Sequence, residues 1–154
     1  MLHFDKILCP TDFSEASYEG VRAADSLAQM YSAEVILVNV VAPLIPIPAP
    51  MGAVSGYDVS GYNQSMNSAA AMSLDSTVSK HISDHTKIRT SLLEGNAAEQ
   101  IVALAEKEKA GVIVIATHGV TGWKRFVFGS VTEKVVRLAQ CPVLTIPAPQ
   151  GNVE

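Results

Sequence analysis

The segment Pro10-Thr11-Asp12-Phe13-Ser14 follows a short apolar run and offers a carboxylate, two hydroxyls and backbone amides. At the end of a strand, the Asp12 carboxylate can accept hydrogen bonds from sugar hydroxyls or from an exocyclic amine, and Thr11 can add its hydroxyl and its amide. Asp12 is equally suited to cap a following helix. Taken alone, the segment favours the helix cap, and a second polar segment is needed to favour a ligand site.

That second segment is Ala116-Thr117-His118-Gly119, which leads after nine further residues to Gly129-Ser130. Glycines at both ends let the backbone approach an anion closely, and the amides of residues 130–132 would open a helix whose dipole favours phosphate. Alternatively, Ser130 forms a capping box with Glu133, or the segment is an ordinary glycine-rich turn. The combination with Asp12 favours a phosphate-binding cradle.

Apolar runs alternate with helical patterns along the chain, which indicates parallel strands joined by crossover helices. The predicted strands are Phe4–Pro10, Glu34–Val41, Ile88–Leu93, Gly111–Thr117 and Pro142–Ile146. Right-handed crossovers then predict an α/β fold, an open doubly wound five-stranded parallel sheet of order 3-2-1-4-5 with helices on both faces. In such a sheet the loops after the first and fourth strands diverge at the carboxyl edge, so both polar segments would face one crevice.

Helix starts are predicted from residues that cap free backbone amides. The predicted capping pairs are Asp12 with Glu15, Asn96 with Glu99, and Ser130 with Glu133. The second helix is predicted over Ser65–Ser83, from apolar residues four apart. Before it, residues 42–62 are rich in proline and glycine, and we expect a flexible loop that is either a simple connector or a flap over a ligand or partner.

Composition excludes several classes of protein. With 48% hydrophobic and 17% charged residues, the chain suits one ordered domain, expected over residues 1–149 with a short polar tail at 150–154. The net charge of -4 argues against a surface that coats nucleic acid. Two cysteines are too few for a disulfide-stapled secreted scaffold, and Asp5 and Lys6 interrupt any export signal, so a cytoplasmic location is expected. Four prolines in residues 43–50 exclude a membrane span there.

Three motifs together resemble the universal stress protein family: PTDFS after the first strand, THG after the fourth, and GSVTEKV at the last helix. The resemblance covers nearly the whole chain, from ILCPTDFS to CPVLTIP. ATP-binding members have a glycine, two residues, a second glycine, nine residues, and then glycine followed by Ser or Thr. Gly119 and Gly129-Ser130 match this signature, whereas Ala116 replaces the first glycine. Because one methyl is small, we expect weakened or unaltered binding, not its loss.

The resemblance implies that an adenine nucleotide, ATP or AMP, binds in the crevice, with Mg²⁺ carried by the phosphates and at most slow hydrolysis. It puts Asp12 at the ribose or adenine, Thr11 and Val40 around the base, and the glycine segments around ribose and phosphates. The implied binding residues are Pro10, Thr11, Asp12, Val40, Ala116, His118, Gly119, Gly129, Ser130, Val131 and Thr132. It further implies a stress-response signalling or regulatory role toward an unknown protein partner, and a homodimer through edge strand 142–146.

Two interpretations of the function remain open at this point. The first is a nucleotide-binding signalling module, and the alternative is a dimeric interaction or chaperone-like stress protein that binds no nucleotide. The sequence has neither a G-x-x-x-x-G-K-[ST] loop nor a second histidine at HxGH spacing after His118, so no strong nucleotide-cleaving site is predicted. The cluster Trp123-Lys124-Arg125-Phe126 is left outside the predicted site, since loop aromatics commonly fold back onto the core.

Overall fold

The computed structural model describes residues 4–45, 58–117 and 128–148, over which strands and helices alternate. The strands are β1 (Lys6–Pro10), β2 (Glu34–Val41), β3 (Lys87–Glu94), β4 (Val112–Thr117) and β5 (Val143–Pro147). The helices are α1 (Glu15–Tyr31), α2 (Val59–His81), α3 (Ala97–Glu108) and α4 (Ser130–Leu138). All five predicted strands are therefore confirmed to within two residues at each end.

The five strands form one sheet in the order β3-β2-β1-β4-β5, and every pairing is parallel, which confirms the predicted fold class. Along its whole length β1 pairs with β2, but it pairs with β4 only at Ile7–Val112 and Leu8–Ile113. Beyond Leu8 the two strands separate, and the rest of β4 pairs with β5. This divergence opens a crevice between β1 and β4 at the carboxyl edge, as the doubly wound topology requires.

Both faces of the sheet are covered, so the central strands are buried on both sides. Ile7 and Cys9 pack with α1 and α2 on one face, while Leu8 packs with α3 and α4 on the other. All three side chains are fully buried. This alternation explains why the central strands read as unbroken apolar runs in the sequence.

Helix α2 begins earlier than predicted. It starts at Val59, where the Asp58 side chain caps it by accepting a hydrogen bond of 2.9 Å from the Gly61 amide. The first two turns contain glycine and polar residues of low helix propensity, so the apolar periodicity did not reveal them. The connection after β2 is therefore shorter than 42–62, and residues 46–57 of it lie outside the described ranges. Within those ranges, no helix has both the length and the apolar character needed to cross a membrane.

Of the three predicted capping pairs, one cap is confirmed and two are wrong. Asn96 caps α3 by accepting a hydrogen bond of 3.3 Å from the Glu99 amide. Helix α1 is capped by Ser14, not by Asp12. Helix α4 has Gly129 at its cap position, so Ser130 is already inside the helix and forms no capping box.

At the opposite, amino edge of the sheet, four charged side chains hold β1, β2, β3 and α3 together. The guanidinium of Arg89 donates hydrogen bonds of 2.7 and 3.3 Å to the two carboxylate oxygens of Glu108, and one of 3.2 Å to Glu34. Lys6 lies 3.4 Å from Glu108. The hydrogen bonds from Arg89, followed by that from Lys6, lower the pKa of Glu108 to about 2.

This cluster predicts a specific loss of stability in acid. Because the pKa of Glu108 in the folded chain lies below its ordinary value of 4.5, its stabilising effect is complete above pH 4.5 and is lost as the pH falls toward 2. Urea unfolding between about pH 6 and about pH 2 should show a shallower acid decline for Glu108→Gln than for the wild type. Glu106→Gln, at an exposed position of the same helix, serves as the control and should leave the decline unchanged. Parallel curves for wild type and Glu108→Gln would contradict this assignment.

Candidate functional site

A cavity of about 230 Å³ lies at the carboxyl edge of the sheet, where β1 and β4 diverge. Every predicted binding residue within the described ranges lines it: Pro10, Thr11, Asp12, Val40, Ala116, Gly129, Ser130, Val131 and Thr132. His118 and Gly119 lie outside the described residues, as does the cluster Trp123–Phe126. Further lining residues, which the sequence did not single out, are Ser14, Ser17, Val38, Asn39, Ala97, Ile101 and Ile115.

The loop after β1 presents Asp12 before the helix, not as part of it. Phe13 has a φ of 66°, a left-handed conformation that turns the chain between Asp12 and α1. Ser14 then caps the helix by accepting a hydrogen bond of 3.1 Å from the Ser17 amide. The Asp12 carboxylate accepts from the Ser14 amide at 3.0 Å and from the Ser14 hydroxyl at 2.5 Å. The acid is thus oriented by the cap residue, and it remains exposed at the cavity.

Thr11 is only 5% exposed, and the protein itself uses both of its donors. Its amide donates to the Val38 carbonyl at 2.9 Å. Its hydroxyl oxygen accepts from the Phe13 amide at 3.0 Å and lies 2.9 Å from the Ser17 hydroxyl. Since Ser17 donates its single hydroxyl hydrogen to the Ser14 carbonyl, the hydrogen between Thr11 and Ser17 must come from Thr11. In this arrangement Thr11 shapes the loop, and neither donor is left for a ligand.

Asn39 fixes the same loop from the neighbouring strand. Asn39 is 8% exposed, and its side-chain amide donates a buried hydrogen bond of 2.8 Å to the Thr11 carbonyl. A buried carbonyl without a partner is costly, so this bond ties the acid-bearing loop to β2. The sequence signal was present, because Asn39 is the single amide in the otherwise apolar interior of EVILVNVV. Its partner, however, lies 28 positions away and could be identified only in the fold.

On the other side of the cavity, α4 starts without a side-chain cap. Gly129 occupies the cap position and provides no side chain, so the cap residue itself offers no side-chain oxygen to the first-turn amides at Ser130 and Val131. The Thr132 hydroxyl is used differently, since it donates a hydrogen bond of 3.1 Å to the Ala116 carbonyl at the end of β4. Helix α4 therefore brings its first-turn amides and the positive end of its dipole to the cavity, which is the arrangement that favours an anion.

Ala116 keeps a backbone conformation that any residue can adopt. It lies within β4, opposite Ile146 of β5, and it is not among the described residues with positive φ. The methyl group of Ala116 therefore introduces no backbone strain at this position.

The remaining wall of the cavity is apolar. Val38 and Val40 of β2, Ile101 of α3 and Ile115 of β4 line it. Three of these side chains belong to the core cluster shared with α3 and α4, and the fourth, Val40, packs against that cluster. Asp12 is the one ionisable residue among the described lining residues. An apolar wall between a carboxylate and a set of amides suits a ligand with a flat apolar part, hydroxyls and an anionic end.

The described part of the chain contains no group of three or more His, Cys, Asp or Glu side chains that could hold a metal ion. A magnesium ion at this cavity would therefore need most of its ligands from phosphate oxygens and water, as is common for this ion.

Comparison with known proteins agrees with this architecture. The family model described as universal stress protein family matches residues 3–147. The chain belongs to the universal stress protein family. It is 34% identical over 149 residues to the universal stress protein MJ0531 of Methanocaldococcus jannaschii, an alignment that covers 96% of this chain and 84% of that relative.

Solved structures give the same result for the fold of this universal stress protein. It superposes on MJ0577 of the same archaeon with a TM-score of 0.77 and 25% identity, covering 97% of this chain and 99% of the other. A universal stress protein from Archaeoglobus fulgidus, solved in complex with dAMP, has a TM-score of 0.56 and 19% identity, with 95% and 99% of the two chains covered.

Proposed function

We propose that this universal stress protein binds an adenine nucleotide, ATP or AMP, in the cavity between β1 and β4. In this proposal Asp12 accepts hydrogen bonds from the ribose or adenine, the apolar wall with Val40 receives the base, and the α4 amides with Ser130 receive the phosphates. Mg²⁺ enters with the phosphates. Occupancy of the site then serves stress-response signalling or regulation through a protein partner, with hydrolysis slow at most.

One observation carries the proposal: an exposed carboxylate and a helix start with glycine at its cap position lie on either side of a single cavity with an apolar wall. The carboxylate selects for hydrogen-bond donors, and the helix start selects for an anion. A nucleotide has both groups, joined by a ribose. The dAMP complex of the Archaeoglobus fulgidus protein supports an adenine nucleotide as the ligand class.

Thermal unfolding with ATP, AMP, adenosine or FMN provides the direct test. A ligand at 100 times its dissociation constant stabilises a protein by about 2.7 kcal/mol, which raises the melting temperature by roughly 5–10 °C for a chain of this size. We expect such a rise with ATP or AMP, a smaller one with adenosine, and none with FMN. A flat response to every adenine compound would reject the proposal and favour a dimeric interaction or chaperone-like protein.

A homodimer through edge strand 142–146 is the second part of the proposal. β5 is the last strand of the sheet, so one side of its backbone pairs with no other strand of the described chain. Leu144 on this strand is 41% exposed. An apolar side chain on an unpaired edge supports pairing with a second copy, and Pro147 at the end of the strand would limit the length of that pairing.

A further inference from the structure

Helix α1 approaches β4 very closely at one point, where Gly20 faces Ala116. A Cβ atom at position 20 would lie 3.1 Å from the backbone nitrogen of Ala116 and 3.5 Å from its Cβ. The first distance is shorter than nine in ten real Cβ contacts, so an alanine at position 20 would require helix or strand to move by a few tenths of an ångström. Gly20 is buried and does not have a positive φ. Since glycine destabilises a helix interior relative to alanine, space is the physical reason for glycine here.

Ala116 is also the point where the other side of the cavity is anchored. Its carbonyl accepts the hydrogen bond from the Thr132 hydroxyl in the first turn of α4. Its nitrogen and methyl face α1. The end of β4 therefore contacts α1 on one side and holds the start of α4 through the Ala116 carbonyl.

On the α1 side, Gly20 lies three residues after Ser17, which is bonded to the loop that carries the acid. Ser17 accepts from the Thr11 hydroxyl and donates to the Ser14 carbonyl, and Ser14 holds Asp12. A shift of α1 away from β4 would carry this bonded loop with it. The distance between Asp12 and the α4 amides thus depends on how closely α1 lies on Ala116.

We infer that Gly20 is a positioning residue for the nucleotide site. Its missing side chain sets the separation between the Asp12 loop and the start of α4, and it leaves room for the methyl of Ala116, which replaces the first glycine of the family signature. The consequence for binding rests on the proposed function, whereas the packing of Gly20 on Ala116 does not.

The test is the affinity of Gly20→Ala for ATP and for adenosine, measured by isothermal titration calorimetry. ATP spans both sides of the cavity, so its affinity should fall about tenfold when their separation changes. Adenosine has no phosphates and should change by less than about twofold. Ser26→Ala, at an exposed position of α1, is the control and should bind both ligands as the wild type does. Unchanged ATP affinity in Gly20→Ala, or an equal loss for both ligands, would overturn the inference.

A second variant tests the contact itself. In Gly20→Ala/Ala116→Gly the added methyl can move into the volume that the Ala116 methyl leaves, so ATP affinity should return to within about threefold of the wild type. Failure to recover would exclude this pair as the contact. If the wild type bound no adenine compound, the proposed function would be wrong, whereas the packing of Gly20 on Ala116 would still be testable. The unfolding free energies of the same variants then provide that test. If the unfolding free energies of the single and double variants show coupling between positions 20 and 116, the packing contact is supported. If the two changes are additive, the contact is contradicted.

Discussion

Gly129→Asp should lower the affinity for ATP about 100-fold while leaving the fold as stable as before or slightly more stable. The cap residue has φ -61° and ψ 155°, a conformation that aspartate adopts without strain. At this position the new carboxylate would accept hydrogen bonds from the first amides of α4, which is favourable for the helix by a few tenths of a kcal/mol relative to glycine. The same groups are the proposed phosphate donors. A like charge about 4 Å from a phosphate costs about 4 kcal/mol at an effective dielectric constant of 20, more than enough for this loss.

Two comparisons distinguish the effect of the new negative charge at position 129 from the effect of the larger side chain. Gly129→Asn has nearly the same size and also caps a helix, but it carries no charge, so its loss of ATP affinity should be no more than about tenfold. Adenosine affinity should be the same in both variants and the wild type, because adenosine has no phosphate. Titration calorimetry and urea unfolding measure both quantities. If Gly129→Asp bound ATP with wild-type affinity, the phosphates would not lie at the start of α4.

Asn39→Leu is expected to have the largest effect on stability, lowering the unfolding free energy by about 1–3 kcal/mol. Leucine has a similar volume but donates no hydrogen bond, so the Thr11 carbonyl would remain buried without its partner. We also expect about a tenfold loss of ATP affinity, because the loop that orients Asp12 would keep the bond from the Thr11 amide to Val38 but lose its second hydrogen bond to β2. Urea unfolding gives the first quantity and titration calorimetry the second.

The chain offers a matched control in Asn63 at the start of α2. Its side-chain amide also donates to a backbone carbonyl, that of Leu44, at 3.1 Å, but this bond is exposed to water. Asn63→Leu removes the same chemical group, yet water can replace it, so the unfolding free energy should fall by less than about 1 kcal/mol. Equal losses in Asn39→Leu and Asn63→Leu would show that burial of the Thr11 carbonyl does not govern the effect.

The sheet was predictable because its signals are local and repeated. Strands buried on both faces need continuous apolar runs, and EVILVNVV in β2 and VIVIAT in β4 provide them. With strands alternating with helices, the right-handed crossover leaves few possible orders, and 3-2-1-4-5 is the order found. The position of the cavity between β1 and β4 then follows from the topology alone.

Helix ends were less predictable, because several residues compete for each cap. Asp12 and Ser14 both precede α1, and the left-handed turn at Phe13 makes Ser14 the cap and leaves Asp12 outside. At α4 the sequence offered Ser130, whereas the backbone placed Gly129 at the cap. A displacement of two residues at α1 and of one residue at α4 thus decides whether a polar group is used by the helix or faces the cavity.

The sequence by itself determined the fold class, the strand order and the family of this protein, along with the polar residues after β1 and at the start of α4 that line the cavity. Only the tertiary structure decided which of their groups are already used. It showed that Thr11 donates its hydrogen bonds to Val38 and Ser17, and that Asn39 donates to the Thr11 carbonyl. It also showed that Gly20 lies against Ala116. The reason is physical. Apolar periodicity is a property of residues that are neighbours in the sequence, so it can be recognised without the fold. Hydrogen-bond partners and close backbone contacts join residues far apart in the chain, and their distances are set only when the chain is folded.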